Sequence, residues 1–77
     1  MPDMNKQIEA LIKQKLPQAD VSVSGSEGKY QATIISQQFD GLSTLERHQM
    51  VYATINNEIK SGVIHALSIV TKTPDEN

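Results

Sequence analysis

One stretch of the chain combines an apolar strand pattern with a side chain that can bind a metal, the segment GVIHALSIV at residues 62–70. We predict a strand over residues 63–72, with His65 near its beginning, on the same face as Val63, Leu67 and Ile69. Two interpretations follow from the pattern. His65 is either a partly buried histidine bonded to a backbone carbonyl, or an imidazole that can bind a metal.

The other nucleophilic or ligating side chains form no recognisable set. His48, the second of two histidines, lies on the apolar stripe of a predicted helix and has no histidine three or four positions away, so a two-histidine helical metal site is absent. Ser43 in GLSTL lacks the last glycine of the nucleophile elbow G-x-S-x-G, and a helix cap explains it better. We therefore predict that the chain is not an enzyme.

Composition narrows the function classes further. The chain has 77 residues, a formal net charge of −2 and no cysteine. The missing cysteine excludes disulfides and all-cysteine metal sites, so sulfur for any cluster chemistry must come from a partner. The acidic balance disfavours sequence-independent binding of nucleic acid. The sequence shows neither a signal-peptide core nor an apolar run of about 20 residues. We therefore predict a soluble protein of the cytoplasm or of an organellar matrix, with the cytoplasm as the leading expectation.

The first half of the chain predicts a helix followed by a hairpin. Asp3 can cap a helix that continues to about Leu16, because apolar residues recur at helical spacing and Pro17 prevents continuation. The segment DVSVS then alternates like a strand, GSEGK supplies turn residues, and YQATIIS resumes with β-branched residues. The two strands are predicted to pair as a hairpin.

The second half predicts a helix and a last strand. Ser43 and Glu46 form a capping-box pattern, and the helix should run through Lys60 before the C′ residue Gly62. Its apolar stripe, flanked by Val51, is predicted to face the core. That stripe comprises Leu45, His48, Tyr52, Ile55 and Ile59. A polar tail at about 73–77 is predicted to be frayed.

The element order α-β-β-α-β predicts one domain over residues 1–77. Two amphipathic helices on one face of three strands make a two-layer α+β sandwich. The helix between the second and third strands also permits these strands to pair in parallel, through a right-handed crossover.

The segment GSEG at residues 25–28 matches the G-x-x-G loop with which nucleic-acid-binding KH domains clamp a phosphate backbone. In KH domains that loop joins two helices, whereas here it should join two strands. Glu27 would also repel a phosphate. We interpret the match as a hairpin turn.

Three segments together resemble one known family. FDGLSTLERHQMVY at residues 39–52, followed by IHALSI at residues 64–69, resembles the signature of the BolA-like family. TKTPDE at residues 71–76 resembles the tail of its IbaG-type branch. The resemblance implies an α/β fold related to type II KH domains, in agreement with the element order above.

The resemblance also implies a partner and a cofactor. Such proteins bind monothiol glutaredoxins of the C-G-F-S type, and the pair shares a two-iron two-sulfur (2Fe-2S) cluster with glutathione, whereas the isolated chain holds none. His65 falls on the family's C-terminal histidine ligand. The second family ligand, a cysteine or histidine in the first hairpin loop, is missing here. Lys29 stands where a histidine occurs in the family. Three possibilities follow: Glu27 or another oxygen ligand substitutes weakly, the shared cluster is asymmetric and labile, or the chain binds glutaredoxin without ligating a cluster through two side chains.

The resemblance leaves other roles open. Arg47 and His48 match a basic position in the helix that we interpret as a partner interface or as packing. A homodimer is left open, and no membrane association is expected. The leading prediction is an adaptor in iron–sulfur trafficking or iron sensing. The alternative is a nucleic-acid-binding transcriptional regulator of the stress response, because some BolA-like proteins are linked to gene regulation.

Overall fold

The fold is built on a three-stranded sheet with helices on one face. The computed structural model describes residues 4–76. Its α-helices are α1 Met4–Lys15, α2 Thr44–Thr54 and α3 Asn56–Lys60, and its strands are β1 Asp20–Ser26, β2 Lys29–Ile35 and β3 Ala66–Lys72. Short 3₁₀ turns cover Gln37–Phe39 and Pro74–Glu76.

The strand order is β1-β2-β3, with β2 in the centre. β1 and β2 pair antiparallel as a hairpin, and β2 and β3 pair in parallel across the connection that contains α2 and α3. This confirms the predicted α+β fold and its parallel pair. In the register, Ala32 lies opposite Val23 on one side and Ile69 on the other.

The core lies between the helices and one face of the sheet. Its buried side chains come from every layer, and from the connections as well. They are Ile8, Ile12, Leu16, Ala19, Val21, Ala32, Ile34, Phe39, Val51, Ile55 and Ile64. The predicted first helix is confirmed, although Asp3, its predicted cap, lies outside the described residues.

The predicted single helix from Ser43 to Lys60 is interrupted at Ile55. Ile55 leaves the helical conformation (φ −126°, ψ 20°), and the chain begins α3 directly after it. The Thr54 hydroxyl donates to the Val51 carbonyl oxygen at 2.7 Å, a local bond that favours helix bending. Asn56 and Asn57 are weak helix formers in the interior of a helix. The break leaves the Ile55 side chain fully buried.

The predicted stripe is correct in its middle and wrong at its ends. Leu45 is 66% exposed and Ile59 is 36% exposed, whereas Val51 and Ile55 are fully buried. Leu45 lies six positions before Val51, which is about 120° around the helix at 3.6 residues per turn. The spacing of three and four residues predicted the helical period correctly. It placed the centre of the buried face of the helix to one side of Val51, whereas the structure has Val51 at that centre.

β3 begins three residues later than predicted, because its first contact with β2 is irregular. The N–H groups of His65 and Ala66 both donate to the Gly28 carbonyl oxygen, at 2.7 and 3.0 Å. Two consecutive residues at the start of β3 therefore lie opposite one residue before β2, as in a β-bulge. The alternation of side chains between the two faces of the sheet shifts by one position there. Ile64 is buried as a result, while Val63 and His65 are exposed. The stretch is not the fully buried strand that its composition indicates.

Tyr52 connects α2 to β3. Its hydroxyl donates to the Leu67 carbonyl oxygen at 3.2 Å. Ser36 N–H bonds the Lys72 carbonyl oxygen on the β2 side of β3, and alternate residues of a parallel strand point to opposite edges. The Leu67 carbonyl therefore lies on the outer edge of β3, away from β2.

The C-terminal residues form an anchored turn in place of the predicted frayed tail. Thr73 is buried, and Glu76 bonds Arg47 of α2 through both carboxylate oxygens, at 2.7 and 3.1 Å. Arg47 also donates to the Leu42 carbonyl oxygen and lies over the ring of Phe39, 5.9 Å from its centre. The hydrogen bond from Arg47, helped by the Thr73 N–H, lowers the pKa of Glu76 to about 2. Asn77 lies outside the described residues.

Among residues 4–76, no helix has the length and apolar character needed to cross a membrane.

The capping box at the beginning of α2 should contribute measurably to stability. Ser43 Oγ accepts from the Glu46 N–H at 3.1 Å, and the Glu46 carboxylate accepts from the Ser43 N–H at 3.0 Å. We expect Ser43→Ala to lower the free energy of unfolding by about 1 kcal/mol, because an N–H of the first turn loses its acceptor. Urea unfolding followed by circular dichroism measures the change. Ser43→Asn, which keeps a capping oxygen, is the control and should stay close to the wild type.

The Arg47–Glu76 pair predicts acid sensitivity with a defined sign. Because folding lowers the pKa of Glu76 from 4.5 to about 2, the carboxylate stabilises the fold fully above pH 4.5, and this stabilisation is lost as the pH falls towards 2. Glu76→Gln should therefore be less stable than the wild type at pH 7, with a gap that closes by pH 2.

The urea midpoint measured at several pH values tests this expectation. Asp75→Asn is the control, because it removes a charge from the same turn and leaves the Arg47–Glu76 bonds in place. An equal gap for Glu76→Gln at pH 7 and pH 2 would contradict the assignment.

Candidate functional site

The candidate site lies at the end of the sheet where β3 begins and the β1–β2 turn closes. Glu27 and Gly28 form this two-residue turn with φ angles of 55° and 83°. Positive φ at both central residues is typical of the type I′ turn, whose twist matches that of the paired strands. The turn thereby places the Gly28 carbonyl where it accepts both N–H groups at the start of β3.

His65 has a fixed backbone and an accessible side chain. Its N–H is held by the 2.7 Å bond to Gly28, and Ile64 next to it is anchored in the core. The residue itself is exposed, because the slipped alternation directs it away from the face of Leu67. Of the two interpretations offered by the sequence, a packed core histidine does not agree with this position. An accessible imidazole can act as a ligand to a metal brought by a partner.

The two candidate second-ligand residues flank Gly28. Glu27 and Lys29 are both exposed, and Lys29 pairs in register with Ala66, the residue after His65. The structure therefore brings the hairpin turn and His65 together, as the resemblance implies. A lysine ammonium has no free electron pair for a metal, and Glu27 offers oxygen, which suits iron–sulfur clusters less well than nitrogen or sulfur.

The donors at this site do not make a complete metal centre. Over residues 4–76, no group of three histidine, cysteine, aspartate or glutamate side chains could hold a metal ion. One imidazole with a neighbouring carboxylate can supply part of a coordination sphere only. A metal held here would need further ligands from outside the residues described.

A shallow groove that the sequence did not indicate runs beside the turn. It is lined by Ser24, Gly25, Lys29, Tyr30, Gln31, Ala66 and Ser68. Except for Lys29, these residues are uncharged. They offer hydrogen bonds to a bound surface rather than ligands for iron.

Arg47 and His48 lie towards the other end of the sheet. Arg47 bonds Glu76, which follows the end of β3, whereas His65 precedes its beginning. Seven residues of strand, at about 3.3 Å each, separate the two ends by roughly 20 Å. The contacts of Arg47 hold the C-terminal turn within the chain, and His48 beside it is half-buried. A role for either residue at a partner interface stays a prediction.

Gly28 is the residue of the site that sequence reasoning missed. Its place in a hairpin turn is readable, because glycine supplies the positive φ that such turns need. Its contact with His65 joins residues that are distant in the chain, and no local pattern encodes that contact.

Comparison with known proteins agrees with this architecture. A protein of Acinetobacter guillouiae named for the rpoN–murA intergenic region is 39% identical over 72 residues, covering 94% of this chain and 87% of that protein. A BolA-like protein of Dictyostelium discoideum is 42% identical over 52 residues, covering 68% of this chain and 46% of its own length. This chain thus corresponds to less than half of that relative.

A solved structure has the same fold. BolA1 from Arabidopsis thaliana superposes with a TM-score of 0.87 at 26% identity, covering 100% of this chain and 99% of the other. The family model described as BolA-like protein matches residues 4–76. Because this match spans nearly the whole chain, the chain belongs to the BolA-like family.

Proposed function

We propose that this chain is a non-enzymatic adaptor that binds a monothiol glutaredoxin and takes part in iron–sulfur cluster trafficking or iron sensing. The cluster is cargo shared by the two proteins. The observation that carries the proposal is the exposed imidazole of His65 on a backbone fixed by the Gly28 carbonyl. A ligand held in this way needs little reorganisation when a partner presents a cluster.

Complementary chemistry supports a two-protein site. The chain has no cysteine, and a glutaredoxin with bound glutathione supplies the sulfur that a 2Fe-2S cluster requires. His65 would supply a nitrogen ligand to one iron. A single nitrogen from this chain, with Glu27 as a weak oxygen donor, gives an asymmetric cluster that is released easily. Easy release suits a carrier. We place this activity in the cytoplasm.

The nucleic-acid alternative has less support from the described residues. The Gly25–Gly28 segment ends in the Glu27–Gly28 turn, which joins two strands rather than two helices, and Glu27 in that turn is exposed. Together with the net charge of −2, this gives little attraction for a phosphate backbone. A salt-dependent gel shift with specific binding near physiological salt would favour this alternative instead.

Reconstitution with a partner tests the adaptor proposal. The protein, mixed with a monothiol glutaredoxin, iron, sulfide and glutathione, should elute as a heterodimer whose visible circular dichroism differs from that of the glutaredoxin homodimer. His65→Ala should change the cluster spectrum of the heterodimer, because one iron loses its nitrogen ligand. The apo protein should keep its stability within about 0.5 kcal/mol, as expected for an exposed side chain.

His48→Ala is the matched control, since it removes the other histidine from the opposite end of the sheet. The heterodimer that this variant forms should have an unchanged cluster spectrum, even if a role of His48 at the interface lowers the amount of heterodimer. Absence of co-elution together with an unaltered spectrum for the wild-type mixture would overturn the adaptor proposal. A collapse of the apo fold in His65→Ala without any effect on the cluster would assign His65 to packing.

The missing second ligand can be supplied by substitution. Lys29→His replaces an ammonium group with a neutral imidazole, which has an electron pair for iron. We expect the cluster of the heterodimer to persist several times longer after dilution, measured by the decay of its visible absorbance. Lys29→Gln, which removes the charge without adding an imidazole, is the control. Equal lifetimes for the two variants would show that position 29 cannot reach the cluster.

A further inference from the structure

The ring of His65 lies in the space where Gly28 would carry a side chain. A Cβ atom built on Gly28 would overlap His65 Cδ2 and would lie 3.1 Å from its Cγ and 3.4 Å from its Cβ. Gly28 is buried although Glu27 and Lys29 on either side are exposed. The imidazole therefore covers the Gly28 backbone.

The contact also selects an edge of the ring. The three His65 atoms nearest to the added Cβ are all carbons, Cδ2, Cγ and Cβ. Neither ring nitrogen is among them, so Nδ1 and Nε2 both lie no closer than 3.4 Å to the added Cβ. The Cδ2–Cγ edge of the imidazole thus faces Gly28, while the residue as a whole remains exposed.

We propose that Gly28 is the positioning residue of His65, because its lack of a side chain lets the ring adopt the rotamer that presents its nitrogens. The effect of Gly28 on cluster ligation rests on the proposed function. The geometry of the contact can be tested without any cluster.

Two other glycines serve as controls that distinguish loss of the His65 contact from backbone strain in a turn. Gly28, Gly41 and Gly62 have nearly equal φ angles of 83°, 80° and 86°. An added Cβ at Gly41 or Gly62 would meet nothing within 4 Å. Alanine at any of the three positions pays a similar backbone cost. Only at Gly28 does the methyl group also displace the His65 ring.

Nuclear magnetic resonance of the apo protein tests the contact directly. The wild type should show a nuclear Overhauser effect between Gly28 Hα and His65 Hδ2, and Hα–Hβ couplings of His65 that indicate one dominant rotamer. Gly28→Ala should shift those couplings, whereas Gly41→Ala and Gly62→Ala should not. Absence of the Overhauser effect in the wild type, or unchanged couplings in Gly28→Ala, would overturn the proposal.

If Gly28→Ala does not fold, Gly28→Asn takes its place, because asparagine tolerates positive φ better than alanine does. Gly41→Asn is then the control. Asparagine also adds a Cβ, so the same loss of the ring contact is expected.

The reconstituted heterodimer tests the consequence. Gly28→Ala should change the visible circular dichroism of the cluster, and the double variant with His65→Ala should differ no further from His65→Ala alone. An additional change in the double variant would show that Gly28 acts independently of His65. If the wild-type mixture forms no cluster, the adaptor proposal fails, while the resonance measurements still decide the role of Gly28.

Discussion

The carbonyl oxygen of Gly28 joins the two halves of this fold. It belongs to the turn between β1 and β2 and, through bonds to the N–H groups of His65 and Ala66, fixes where the parallel strand begins. Because one carbonyl oxygen accepts from two consecutive N–H groups, the side chains at the start of β3 change faces by one position relative to a regular strand. That change decides the exposure of His65, since in a regular strand this residue would share the buried face of Leu67.

The two ends of the sheet have different tasks. At one end, a turn with a strained, left-handed Glu27 presents an imidazole. At the other, Arg47 draws together the Leu42 carbonyl, the Phe39 ring and the Glu76 carboxylate, which fixes the C-terminal turn against α2. The contacts of Arg47 thus lie at the end of the sheet opposite to the candidate site.

Periodicity and capping rules were sufficient for the fold, because they report local preferences. The capping box at Ser43, the hairpin turn and the parallel pair were all predicted correctly. The break at Ile55 could not be read from the stripe, since the Thr54 hydroxyl competes with the helix while every apolar residue keeps its spacing.

The exposure of His65 was hidden for a related reason. Alternation assumes that strand residues pair one to one, and a shared acceptor appears only when the distant turn is in place. The anchored tail depends equally on a distant partner, Arg47, so the polar residues of TPDEN resemble a disordered end when they are considered alone. The candidate ligand itself was identified from residue type and family resemblance, and the structure adds the reason for its accessibility.

The Tyr52 hydroxyl has a consequence beyond attaching α2. β3 is an edge strand, and its outward N–H and C=O groups could serve as a template for strands of other molecules. By bonding the Leu67 carbonyl, Tyr52 occupies one of these groups and brings helix α2 against the exposed edge. A contact between α2 and β3 inside the molecule therefore also works against edge-to-edge aggregation, a hazard of every small open sheet.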